Sequence, residues 1–177
     1  MTLFKQLLYA AFIVLITAFA FQQSSNMMIS NDYFIQFSGN DANGVFKNLS
    51  GDIYFDEQDL SASRCVLIID VNSINTGNGT KNKHAKSKKW FDAEKYPTIE
   101  FWSKQFTKTA DGYAVAGTMS IHGIEKYITI PFTFIEDVFE SEFSVNRLDY
   151  NIGTMEGNSK NVSNEIRLKI IIPVTKI

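Results

Sequence analysis

The chain has 177 residues, 20% of them charged and 14% aromatic, with a formal net charge of −2. That length suits one domain with a substantial core. The near balance of charge excludes the basic field of a nucleic-acid binder, and one cysteine excludes an internal disulfide, so packing must stabilise the fold.

Residues 1–20 read as a signal peptide. Lys5 gives a positive start, Leu7 to Phe19 is almost wholly apolar, and Ala18-Phe19-Ala20 supplies a small-x-small site with cleavage expected after Ala20. The apolar run is short for a membrane span of about 20 residues, although a retained N-terminal anchor is the rival reading. The expectation is one exported domain over 21–177.

Beyond it the hydrophobic period is two. Cys65–Val71 is an apolar run, which favours a buried thiol over a reactive one. Ile99, Phe101 and Ser103 oppose Glu100, Trp102 and Lys104; Ile128, Ile130, Phe132 and Phe134 alternate with Tyr127, Thr129, Pro131 and Thr133. Ile166, Leu168, Ile170 and Ile172 share a face opposite Arg167 and Lys169. Such alternation predicts half-buried antiparallel strands. Turn signals fall at Ser50-Gly51-Asp52, Asn75 to Gly79, Asp111-Gly112, His122-Gly123 and from Gly153 onward. Together they give about eight or nine strands without βαβ alternation, an all-β sandwich or barrel. Thr80 to Phe91 breaks the pattern: its lysines scatter around any helix, so a short exposed helix or loop is expected, pinned by Trp90 and Phe91 and ended by Tyr96-Pro97.

No HExxH, CxxC, GxSxG, P-loop or GxGxxG pattern occurs, and two histidines and one cysteine are a thin supply for a metal site. His122 reads as a turn imidazole bonded to backbone. Asp56, Asp59, Asp70, Asp92 and Asp149 sit at strand ends or turns, where their carboxylates bond local backbone.

Five motifs in one order carry a resemblance: DVNSINTGN at 70–78, KHAKS at 83–87, WFDAEKYPTIEF at 90–101, GTMSIHG at 117–123 and FSVNRLDY at 143–150. With GDIYFDEQDL at 51–60 and IRLKIIIPV at 166–174, the chain resembles the YceI-like family of exported bacterial proteins. The resemblance implies an extended antiparallel eight-stranded lipocalin-like β-barrel with one short helix or loop near 80–91. It also implies a periplasmic or secreted location, and a long isoprenoid chain, a polyprenyl phosphate or a quinone, held in the barrel without a catalytic cofactor. Departures are NDYFIQFSG at 31–39, where the family often has His-Ser, Asn151 for the usual Gly, and Ala85 where Leu is commoner.

Matched by motif, the inward sets are Cys65, Leu67, Ile69 and Val71; Ile99 and Phe101; and Tyr113, Val115 and Met119. Later strands add Ile128, Ile130 and Phe132, then Phe143 and Val145, then Ile166, Leu168 and Ile170. This lining could desolvate a hydrocarbon chain or simply be a filled core. Arg147 continues the inward parity of Phe143 and Val145, so it must pair with Asp149 or another acid, or meet a head group at a wet mouth. His84 and Lys86 are further head-group candidates, and the lysines at 81–89 suit an anionic lipid or a plain solvated surface. The reading is a lipid-binding protein, not an enzyme, with no nucleic-acid partner; transient membrane contact and a homodimer stay open. The alternatives are an enzyme on an isoprenoid-like substrate, using His122, Asp149 and Tyr150, and a periplasmic interaction module of membrane redox systems.

Overall fold

The computed structural model describes residues 26–155 and 160–177, so the expected signal peptide lies outside the described residues. Eleven strands appear in chain order: β1 (Asn26–Ile29), β2 (Phe34–Ser38), β3 (Gly44–Phe46), β4 (Leu49–Tyr54), β5 (Arg64–Asp70), β6 (Ile74–Asn75), β7 (Thr98–Thr109), β8 (Gly112–Ile121), β9 (Ile124–Ile135), β10 (Val138–Asn146) and β11 (Glu165–Lys176). Among the described residues one α-helix, α1 (Gly79–Lys86), stands between β6 and β7.

Eight strands close an antiparallel barrel in the order β1-β4-β5-β7-β8-β9-β10-β11, with β11 returning to β1 through Met27↔Lys176 and Ile29↔Val174. The chain leaves the ring after β1, and β2 rejoins it against the other half of β11, from Phe34↔Ile171 to Ser38↔Arg167. β3 and β6 then extend that flank as a short flap.

Tight hairpins keep the ring in register. His122 and Gly123, and again Glu136 and Asp137, all have positive φ, the two-residue turn whose twist suits antiparallel strands. In β7 the register slips between Ser103 and Gln105, leaving Lys104 as an extra residue. This bulge resets the alternation: Ile99 and Phe101 point inward before it, and Phe106 is buried after it. The β9–β10 ladder contains three residue pairs and ends at Glu140↔Thr133. It stops short of Pro131, which has no N–H to contribute; the Ser141 hydroxyl instead donates to the Pro131 carbonyl at 2.6 Å.

α1 follows the lysine-rich segment. Asn78 caps it, its side-chain oxygen accepting from the N–H groups of Thr80 and Lys81, and none of its residues is buried. The chain after it is tied down by Trp90 beside Arg147 and by Phe91 edge-on to Phe46.

Candidate functional site

A cavity of about 420 Å³ occupies one end of the barrel, where β10 ends and β11 begins. Its apolar wall includes Phe37, Phe46, Val145, Ile166 and Leu168; its polar groups (Asp41, Asn43, Thr76, Lys81, His84 and Arg147) belong to the flap, α1 and the end of β10. Lys81 and Asp41 form a 3.0 Å ion pair there, with both side chains about half exposed. Such exposed pairs contribute little to stability.

Deeper in, a second void of about 110 Å³ shares Ile35, Ile69, Ile99, Met119, Phe143 and Ile170 with the first. Cys65, Leu67, Phe101, Val115 and Ile130 complete most of its wall. Burial pushes the Cys65 thiol up to about 11, so it stays neutral and behaves as a small apolar group.

The opposite end is closed. Phe55, 2% exposed, leaves β4 and enters the barrel, where its ring lies 5.2–5.7 Å from those of Phe106, Tyr113, Phe132, Phe134 and Phe139. Most of these contacts are edge-to-face, the arrangement favoured by ring quadrupoles. The Tyr113 hydroxyl donates to the Glu57 carboxylate at 2.8 Å, which together with burial raises the phenol above its ordinary value.

Among the described residues Arg147 is the one charged side chain buried in the cavity wall, at 4% exposure. Its Nε donates to the Ser163 carbonyl at 2.9 Å. Nη1 donates to the carbonyls of Ile152 (2.7 Å) and Gly153 (3.3 Å), and Nη2 to the Val162 carbonyl (3.3 Å) and Asn164 Oδ1 (3.0 Å). A guanidinium has five N–H donors, so all are engaged by neutral acceptors. Among the described residues no carboxylate pairs with it; Asp149 instead meets Lys126 at 3.5 Å. Burial lowers its pKa, yet an arginine keeps its charge. The result is a staple joining the end of β10 to the segment before β11, which also sets a fixed positive charge beside the mouth.

The YceI-like domain model matches residues 20–173 of the chain. The chain belongs to the YceI-like domain family. A UPF0312 protein of Yersinia enterocolitica is 29% identical over 121 residues, and one of Yersinia pestis 27%. In each case the match takes in 63% of this chain, and the chain spans 63% of the relative's length. Burkholderia cenocepacia BcnA is similar in structure with a TM-score of 0.77 and 26% identity, over 84% of this chain and 99% of BcnA. A Campylobacter jejuni YceI protein follows at 0.64 and 26%, over 76% and 84% of the two chains. A polyisoprenoid-binding domain from Saccharophagus degradans, at 0.65 and 14% over 87% and 99%, shares the fold.

Most of the sequence-predicted lining of this YceI-like domain faces one of the two voids: Leu67, Ile69, Ile99, Phe101, Val115, Met119, Ile130, Phe132, Phe143, Val145, Ile166, Leu168 and Ile170. Three predicted lining residues do not. Val71, 1% exposed, has left β5 and packs inside a 3-10 turn capped by Asp70. Tyr113 lies below the Phe55 cluster, bonded to Glu57. Ile128 sits half-buried on β9 beyond the end of the β9–β10 ladder and touches neither void.

Of the head-group candidates, Arg147 and the exposed His84 line the mouth, whereas Lys86 does not. The expected Arg147–Asp149 pair is replaced by the carbonyl staple. His122 adopts φ 53 and its Nδ1 lies 3.0 Å from the Tyr150 carbonyl, which places the proton on Nδ1 and commits the ring to structure. Sequence reasoning missed Ile35, Phe37 and Phe46 of the flap flank, together with Phe106. The alternation in FIQF at 34–37 was available as a signal; the bulge that turns Phe106 inward has none.

Proposed function

We propose that this YceI-like domain is a non-enzymatic lipid carrier, exported to the periplasm or beyond, that holds an isoprenoid-type chain in its barrel. The observation that carries the reading is a cavity of about 420 Å³ with polar groups at its mouth and a void behind it walled by hydrocarbon. That volume falls within the roughly 300–1,000 Å³ of small-molecule sites. The wall of the inner void offers almost no donors or acceptors, so a hydrocarbon tail enters it without leaving polar groups unpaired. The similar fold from Saccharophagus degradans is described as a polyisoprenoid-binding domain, which favours isoprenoids over other lipids.

Support for a binding role without turnover comes from the state of the groups that could do chemistry. The Cys65 thiol is neutral, and the His122 ring is engaged with backbone. Leu148 (37% exposed), next in sequence to Arg147, and Met155 (52%) leave apolar side chains in solvent after β10, and residues 81–89 carry five lysines and no acid. Exposed apolar groups together with a cationic segment suit brief contact with an anionic bilayer, from which the lipid would be drawn.

The test is solvent extraction of protein purified from its native host, with mass spectrometry of the extract, followed by reloading of stripped protein with prenols and quinones. An isoprenoid in the extract and a raised melting temperature on reloading are expected. Lipid-free extracts from folded protein, together with no thermal response to any added prenol, would sink the reading. Fractionation of native cells checks the export step; protein confined to the cytoplasm would overturn it.

A further inference from the structure

We propose that the Phe55 cluster is an end stop, making the barrel a blind tube with one mouth that selects its ligand by tail length. This rests on the isoprenoid-binding reading and adds which chains are held fully. Mouth and stop lie at opposite ends of the same strands. On β7, Ile99 lines both voids and Phe106 forms part of the floor of the inner one. Allowing for the bulge at Lys104, the separation is about 20 Å along the strand, or about 15 Å of depth at the tilt of a closed barrel.

The floor has depth as well as width. Phe106, Phe132 and Phe139 face the inner void, Phe55 packs behind all three, and Tyr113 lies beyond Phe55, fixed by Glu57. One ring cannot swing aside without displacing its neighbours, because Phe55 alone contacts five others. Phe55 is also held by a loop: the Asp56 N–H donates to Ser63 Oγ at 2.9 Å, and the Asp56 side chain accepts from the Gln58 N–H at the same distance. A tail that has filled both voids therefore meets rigid aromatic packing, and further units must remain at the wet mouth.

The consequence is a break in the dependence of affinity on length. Each methylene that enters the apolar interior raises affinity by about fourfold before ordering costs, and one left outside adds nothing. The experiment measures dissociation constants of the stripped full domain for farnesol, geranylgeraniol and solanesol by displacement of a fluorescent lipid. Geranylgeraniol should bind at least about tenfold more tightly than farnesol, and solanesol within about twofold of geranylgeraniol. Phe55→Ala should let solanesol gain about tenfold over geranylgeraniol. Cys65→Leu, which fills the inner void from its wall and leaves the stop intact, should weaken geranylgeraniol about tenfold and spare farnesol. It keeps the test decisive should Phe55→Ala fail to fold. Solanesol tightening in the wild-type domain by the same factor per unit as the shorter prenols would overturn the end stop, as would Cys65→Leu weakening all three equally. Failure of every prenol to bind would instead bring down the isoprenoid reading on which it rests.

Discussion

Replacing Arg147 separates a structural staple from a head-group contact. Arg147→Gln removes the charge and most of the five hydrogen bonds. The acceptors on Ser163, Val162 and Asn164 are only partly buried and can rehydrate, but the carbonyls of Ile152 and Gly153 are held in buried contacts with Nη1. Leaving a buried acceptor unpaired costs about 1–3 kcal/mol, while removing an uncompensated buried charge returns part of that. The net loss should be about 3 kcal/mol, or a fall in melting temperature of about 6–12 °C for a domain of this size. Arg147→Lys restores the charge without the planar fork and should recover little of it. Urea and thermal unfolding of both variants measure this, with the lipid content of the same preparations as the second readout. A melting temperature within about 2 °C of wild type, with lipid lost in Arg147→Gln and regained in Arg147→Lys, would refute the staple and make Arg147 a head-group ligand.

Gly153 has φ 65, and a Cβ there would lie 2.5 Å from the Trp90 ring and 3.0 Å from Arg147 Nη1. Gly153→Ala should therefore cost about 2–4 kcal/mol in urea unfolding and change the tryptophan emission of the folded state. Burial raises the Cys65 thiol from 9.0 to about 11, so its contribution is complete below the unfolded value and is lost as pH rises between the two. Stability should fall by about 2–3 kcal/mol over that window, and a Cys65→Val chain should show a flatter decline in pH-dependent denaturation. Lipid loading should slow hydrogen exchange along β9 and β10 more than along β7 and β8, because the β9–β10 ladder has only three pairs. Equal protection of all four strands would count against that reasoning.

Where alternation ran unbroken, the sequence was readable: β9 and β11 present inward the residues that periodicity assigns them, apart from Ile128 at the unpaired stretch of wall. Asn151 was legible too, since its positive φ follows from an Asn standing where a Gly is usual. What escaped depends on single-residue offsets or on backbone partners. Lys104 is an ordinary lysine, and nothing in its type announces the bulge that turns Phe106 inward. Val71 continues the parity of β5 in sequence, but Asp70 caps a 3-10 turn by accepting from the Asn72 N–H, and the strand ends before it. Arg147 was correctly placed on the inner face. Four of its partners are main-chain carbonyls from two separated segments and the fifth is the neutral Asn164 side chain, so nothing in residue type marks them and an acid was expected in their place. The flap of β3 and β6 is too short to show a period.

The two ends of the barrel apply one set of forces to opposite purposes. At the far end, aromatic rings supply their own packing partners, so the core is complete without a ligand. At the mouth, the flap, α1 and the Arg147 staple hold the wall open by hydrogen bonds and an exposed ion pair, none of which needs the interior to be filled. Between them, the β9–β10 ladder ends at Glu140↔Thr133, and beyond the Ser141–Pro131 hydrogen bond apolar side chains rather than a ladder must close the wall over the inner void. A lipid tail would contact that weakest stretch of wall directly. Binding energy would then be gained on residues such as Ile99, Phe101, Met119 and Ile130, which already belong to the buried core and have one side turned to the voids. On the proposed lipid-carrier reading, the closed aromatic end, packed without any tail, would keep the barrel folded when the ligand leaves.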